Sequence, residues 1–192
     1  MTYCTLADVR EYLGISDDHT SDDALISQCI LAAKQAVDRY TNRVFDASAN
    51  STLMYDGNSD LIRGRTLMLG RYTLASEPTE VLIAETDVTS YVSVANDAPF
   101  DMLYIQSSSP KTWSSYDEDP WASISITGKW GYSTTPPDDV VQAAIIWSAW
   151  LYQIKDLNPS GVLSQLSGEQ QTRASEIPDR AAMMLYPYAV MW

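Results

Sequence analysis

The chain has 192 residues, 45% of them hydrophobic and 19% charged, with 25 Asp and Glu against 12 Lys and Arg for a formal net charge of -13. This is the composition of a folded domain with a sizeable core, and it excludes wholesale disorder. It also argues against a phosphate-neutralising groove, whose affinity would come from Lys and Arg.

Two cysteines, Cys4 and Cys29, exclude a disulfide scaffold and leave a zinc site without ligands. Both fall on apolar helical faces and read as core thiols. The longest apolar run, Ala143 to Tyr152, is broken by Ser148 and falls short of the roughly 18 residues a spanning helix needs. The first residues lack a basic start followed by an apolar block, so no secretory leader is expected.

Thr5 and Asp8 form a capping-box pattern before Leu6, Val9, Tyr12 and Leu13 at helical spacing, and Gly14 supplies a stop. The acidic turn that follows holds the single histidine, His19, which reads as a solvated loop residue rather than a base or ligand. Asp22 and Asp23 suit the start of a second helix. Its stripe is Leu25, Cys29, Ala33, Val37 and Tyr40, widened by Ile26, Ile30 and Ala36, with Arg39 and Arg43 at its end.

From about Ser51 to Trp130 the chain becomes rich in Ser, Thr, Tyr and Val. Thr52 to Tyr55 ends at Asp56-Gly57, a hairpin signal. Further strands are expected at Thr66 to Leu69, Glu80 to Ala84, Tyr91 to Val94, Met102 to Ile105 and Ala122 to Gly128. This block reads as a meander of hairpins. Arg63, Arg65 and Arg71 fall in its loop. They form either a tip that meets DNA or an acidic neighbouring subunit, or a solvated hairpin paired with Asp56 and Asp60.

Trp113, Tyr116 and Trp121 surround Asp117-Glu118-Asp119-Pro120. They read as a loop pinned by its aromatics, with a partner anchor or sugar platform as the functional alternative. The carboxylates lack the alternating spacing and Gly turn of a Ca²⁺ loop. No cofactor, metal or catalytic residue is assigned.

After Pro136-Pro137 a third helix carries Val140, Ala143, Ala144, Trp147, Trp150 and Leu151, with Val141, Ile145 and Tyr152 on its flanks. A helix apolar nearly all round is covered on more than one side. Trp147, Trp150 and Tyr152 are therefore core or inter-subunit residues. Lys155 to Thr172 is a polar loop, and Pro178 starts a last short helix that ends near Pro187. The fold class is α+β: two N-terminal and two C-terminal helices in a bundle, with an inserted antiparallel β meander. The expected division of this single domain is helical 1–48, β insertion 51–130, helical 136–188 and a tail at 189–192.

Three stretches resemble the head-to-tail connector (head-completion or adaptor) proteins of tailed bacteriophages. The first runs Thr5 to Gly14, then Asp23 to Ile26, Ala32-Ala33 and Val37 to Arg43. The second is Gly128 to Tyr132 with Pro136 to Val140 and Ala143-Ala144, and the third is Leu185 to Tyr188.

The resemblance implies a structural protein and not an enzyme. It implies a self-associated ring, dodecameric like the portal, in the virion neck after assembly in the host cytoplasm. The implied partners are the portal protein, a tail-completion, tail-terminator or stopper protein, and DNA passing through the channel without sequence-specific binding. No membrane is implied. Many relatives are basic after the position of Tyr188, whereas this chain reads Ala189-Val190-Met191-Trp192. That departure points to apolar docking, with Tyr186, Tyr188, Met191 and Trp192 as the portal-facing residues. The alternatives are another neck or tail-completion protein, or a carbohydrate-binding module.

Overall fold

Thr5 Oγ1 accepts the Asp8 N–H at 3.2 Å and Asp8 Oδ2 accepts the Thr5 N–H at 2.7 Å, so the capping box is closed. It starts α1 (Leu6–Leu13), which ends at Gly14 in the left-handed conformation, φ 69°. The computed structural model describes residues 2–16, 18–94, 97–116, 119–154 and 177–190. It divides into two compact units, Met1–Arg43 with Pro136–Trp192, and Val44–Thr135.

The first unit is helical among its described residues. α2 (Asp23–Thr41) buries Ile26, Cys29, Ile30, Ala33 and Val37. The stripe is therefore rotated from the one read in the sequence. Leu25 is 36% exposed and Tyr40 half-buried, while Ile26 and Ile30 sit at its centre. The 26-30-33-37 spacing follows the helical repeat more closely than one that starts at Leu25.

α3 (Asp138–Gln153) packs against α1, α2 and α4 (Asp179–Leu185), which buries Val140, Ala143, Ala144, Ile146, Trp147, Ser148 and Ala149. Covering it from three directions removes its apolar surface from water, at about 25 cal/mol per Å². Ser148 is tolerated in that setting because its hydroxyl donates to the Ala144 carbonyl at 2.6 Å. α4 buries Ala181 and Leu185 and runs into a 3₁₀ turn, Tyr186–Tyr188.

Polar contacts tie these helices together. Arg10, only 8% exposed, sets Nη2 2.8 Å from Asp23 Oδ1 and donates to the His19 carbonyl. It so joins α1, the acidic turn and the start of α2. The Tyr3 hydroxyl donates to Asp38, which also takes the Lys34 ammonium at 2.9 Å. The Tyr152 hydroxyl donates to Asp22.

Among its described residues the second unit holds eight strands in two antiparallel sheets. One has the order β1 (Ser51–Tyr55), β8 (Ile124–Gly128), β4 (Glu80–Ile83), β5 (Thr86–Asp87). The other has the order β2 (Ile62–Arg63), β3 (Thr66–Met68), β7 (Met102–Ile105), β6 (Val92–Val94). Inward residues of both sheets form one core that includes Leu67, Val81, Ile83, Leu103, Ile105, Ile124 and Ile126.

The α+β class and the antiparallel insertion are those expected, but the strands do not follow one another as a simple meander. β1 pairs with β8, Ser51 opposite Gly128 and Tyr55 opposite Ile124. No hairpin forms at Asp56-Gly57, whose Gly57 N–H goes to the Pro120 carbonyl at 2.9 Å. The residues after it, Asn58-Ser59-Asp60, make a polar turn and offer no alternating strand to return along β1. Real hairpins turn instead at Gly64-Arg65, joining β2 to β3, and at Ala84-Glu85, joining β4 to β5. β2 and β5 are two-residue strands that sequence periodicity did not reveal.

The β4–β5 turn uses left-handed residues at both positions, Ala84 at φ 46° and Glu85 at φ 61°, without glycine. This is the backbone that Asn-Gly adopts most readily. The double substitution Ala84→Asn, Glu85→Gly should raise stability by about 1–2 kcal/mol, read as a higher urea midpoint with an unchanged slope.

Candidate functional site

The three arginines do not form one cluster. Arg63 ends β2 and Arg65 lies in the β2–β3 turn beside Gly64, which has φ 62°, whereas Arg71 lies beyond the other end of β3. Arg71 stacks on Tyr72, its guanidinium 4.8 Å from the ring centre. Tyr72 meets Trp130 edge-on at 6.2 Å, and Trp130 donates to the Ser51 carbonyl at 2.9 Å. Arg65 is half-buried, and its backbone carbonyl accepts the Trp113 indole N–H at 2.8 Å. Arg63 is exposed and makes no ion pair with Asp56, Asp60 or any other carboxylate among the described residues.

The aromatic loop after β7 is built from one buried and one exposed tryptophan. Trp113 is fully buried and pins the loop to the core. Trp121 is 76% exposed, and Tyr116 is 37% exposed. Asp119 Oδ1 accepts the Trp121 N–H at 2.8 Å, and Pro120 O accepts both Gly57 N–H at 2.9 Å and Ser123 N–H at 3.4 Å. Ala122 is left-handed at φ 52°. The turn therefore holds Trp121 outward at some backbone cost. Asp117 and Glu118 lie outside the described residues.

In the helical unit, Trp147 is core, 5% exposed, while Trp150 and Tyr152 are half-buried. Tyr186 is 65% exposed and Tyr188 half-buried. Val190 follows the end of α2: its N–H donates to Thr41 O at 3.2 Å and its carbonyl accepts Asn42 Nδ2 at 3.0 Å. Met191, Trp192 and the segment Lys155 to Thr172, expected as a loop, lie outside the described residues. Tyr40, Ala182, Met183 and Tyr186 line an open apolar groove of about 370 Å³.

Burial pushes the Cys4 thiol up to about 11; the Ser148 hydroxyl opposes this and the Asp8 charge adds to it. His19 is exposed, and its backbone rather than its ring is engaged. Among the described residues no three His, Cys, Asp or Glu side chains form a metal-sized group, and no helix is long and apolar enough to cross a membrane.

Sequence reasoning missed Arg10 and the Met183 groove. The eight-residue α1 puts Arg10 beside Val9 on its covered side, and the acidic run at 17–23 was the signal for its partner. Met183 stands in an apolar stretch, Ala181 to Leu185, in which nothing marks it as 77% exposed.

The family model described as phage gp6-like head-tail connector protein matches residues 3–63. The resemblance read from the first stretch is borne out there. No curated protein matches the chain. Solved structures that share its fold include chains from gene transfer agent particles. A chain from the neck of an empty gene transfer agent (GTA) particle, computed with C6 symmetry, aligns with a TM-score of 0.64 at 16% identity, covering 97% of this chain and 89% of that one. A chain from the neck of the native GTA particle, computed with C12 symmetry, gives 0.60 at 16%, covering 97% and 88%. A chain from the native GTA virion gives 0.59 at 16%, covering 97% and 89%.

The two kinds of arginine predict opposite outcomes. Arg10→Ala should cost about 3 kcal/mol, because it strands the Asp23 carboxylate in a partly covered site. Arg63→Ala should change stability by less than about 0.5 kcal/mol. Denaturant unfolding of both variants checks the contrast.

Proposed function

We propose that this chain is a structural subunit of the neck of a tailed phage or a related particle. It acts without catalysis, as a ring between portal and tail. The observation that carries this reading is the shared fold over 97% of the chain with proteins from particle necks. The family match at residues 3–63 supports it independently. The C12 symmetry of one of those necks supports a dodecameric ring that matches the portal.

In this reading the ring extends the DNA channel, helps retain the packaged genome and offers the tail-completion or stopper protein a docking face. A conduit must not grip its cargo. A net charge of -13 repels phosphate, so DNA slides past. The unpaired Arg63 then serves an acidic neighbouring subunit or a brief contact with DNA, not a binding groove. The soluble subunit forms in the host cytoplasm and resides in the virion neck.

The portal-facing residues are Tyr186, Tyr188, Met191 and Trp192, on either side of Val190, which is anchored at the end of α2; Tyr186 also lines the groove. Aromatic side chains that are first wet and later covered suit such a docking segment.

Deleting Pro187 to Trp192 should leave the secondary structure intact and lower affinity for the purified portal protein by at least about tenfold, the effect of losing one good aromatic anchor. Circular dichroism and a binding titration on the two forms decide it. A truncated chain that binds the portal as well as the full one removes the C-terminal segment from the interface.

A further inference from the structure

The apolar groove of Tyr40, Ala182, Met183 and Tyr186 has its own chain close at hand. Two hydrogen bonds hold Val190 at the end of α2: its N–H donates to Thr41 O at 3.2 Å, and its carbonyl accepts Asn42 Nδ2 at 3.0 Å. One residue earlier, the Ala189 N–H donates to Tyr186 O at 3.2 Å. Thr41 directly follows Tyr40. Residues 189 and 190 therefore bridge the backbones that supply both tyrosines of the groove. All of these residues belong to the helical unit.

The sequence continues with Met191 and Trp192. Fully extended, two residues reach about 7 Å past Val190, and Tyr40 Cα lies about 3.8 Å from that of Thr41. The groove is within that reach, and its volume of about 370 Å³ admits an indole. Its lining suits one. Tyr rings and the Met183 thioether make favourable contacts with an aromatic face. Met183 and Tyr186, 77% and 65% exposed, leave that lining open.

Tethering selects the occupant. A group held by so short a link meets the groove at an effective concentration on the order of millimolar. A second copy would have to approach against its own net charge of -13. Met191 and Trp192 bring no side-chain charge that an apolar lining would have to desolvate.

We propose that in the free subunit Met191-Trp192 folds back into this groove, with the Trp192 indole against Tyr40, Met183 and Tyr186 of the same chain. On the portal reading above, docking withdraws the segment, so the groove keeps a docking aromatic covered until the portal replaces it. The seat itself does not depend on that reading.

Fluorine NMR of the full free chain labelled with 5-fluorotryptophan tests it. The chain has six tryptophans, and Trp192→Phe identifies the resonance of residue 192 by its loss. That resonance should lie away from free 5-fluorotryptophan. Its solvent isotope shift between H₂O and D₂O should be at least about twofold smaller than the free value, because a ring seated in a pocket has most of its surface covered. Both properties should be independent of protein concentration. Met183→Glu, a change at an exposed position, should return both to the free values with the other tryptophan resonances unmoved.

A residue-192 resonance with the position and isotope shift of free 5-fluorotryptophan overturns the proposal. So does protection that survives Met183→Glu, which would put the ring elsewhere, or protection that appears only at high concentration, which would make the occupant another copy. No portal enters the experiment, so the portal titration above stands or falls separately.

Discussion

One helix sets the constraint on the helical unit. α3 is apolar on nearly every side, so no single neighbour can cover it. α1, α2 and α4 each take part of its surface, which forces the first 43 residues to meet residues beyond 136. The β strands between them must leave and return. Their own core, pinned by Trp113 and the inward residues of two sheets, is a separate burial problem solved within 44–135. The polar contacts then fix detail: Arg10 with Asp23 and His19 orders the turn between α1 and α2, and Tyr152 with Asp22 ties α3 to it.

Helices were legible because each advertises itself locally. The Thr5–Asp8 box, Gly14, Pro137 and the repeated apolar spacing all lie within the element they define. The exact face of α2 was less so, because Leu25 and Ile26 are both apolar and only packing against α3 chooses between them. In the β unit, single strands such as Ile124–Gly128 were readable from alternation. Their pairing was not. Asp56-Gly57 carries a hairpin signal, yet β1 finds its partner in β8, more than sixty residues on. Nothing local encodes that choice, since both strands satisfy the same alternation and the core selects between them.

The surfaces divide in the same way. The sequence marked Trp121 and Arg63 as candidates but could not say which aromatic in that loop was buried. The structure places Trp113 in the core with its indole N–H on Arg65 O, and Trp121 outside on a turn held by Pro120. Arg71 was grouped with Arg63 and Arg65 by proximity in sequence, and β3 carries it to the far end. Exposed Trp, Tyr and Met stand on a strongly acidic chain, where like charge opposes the association that apolar contacts favour.

The proposed neck role is tested by imaging the chain co-purified with the portal protein of the same particle. A ring of this chain stacked on the portal, with matching symmetry and a continuous channel, is the expected result. A folded chain that leaves an intact portal bare, with no ring at any concentration, would contradict it.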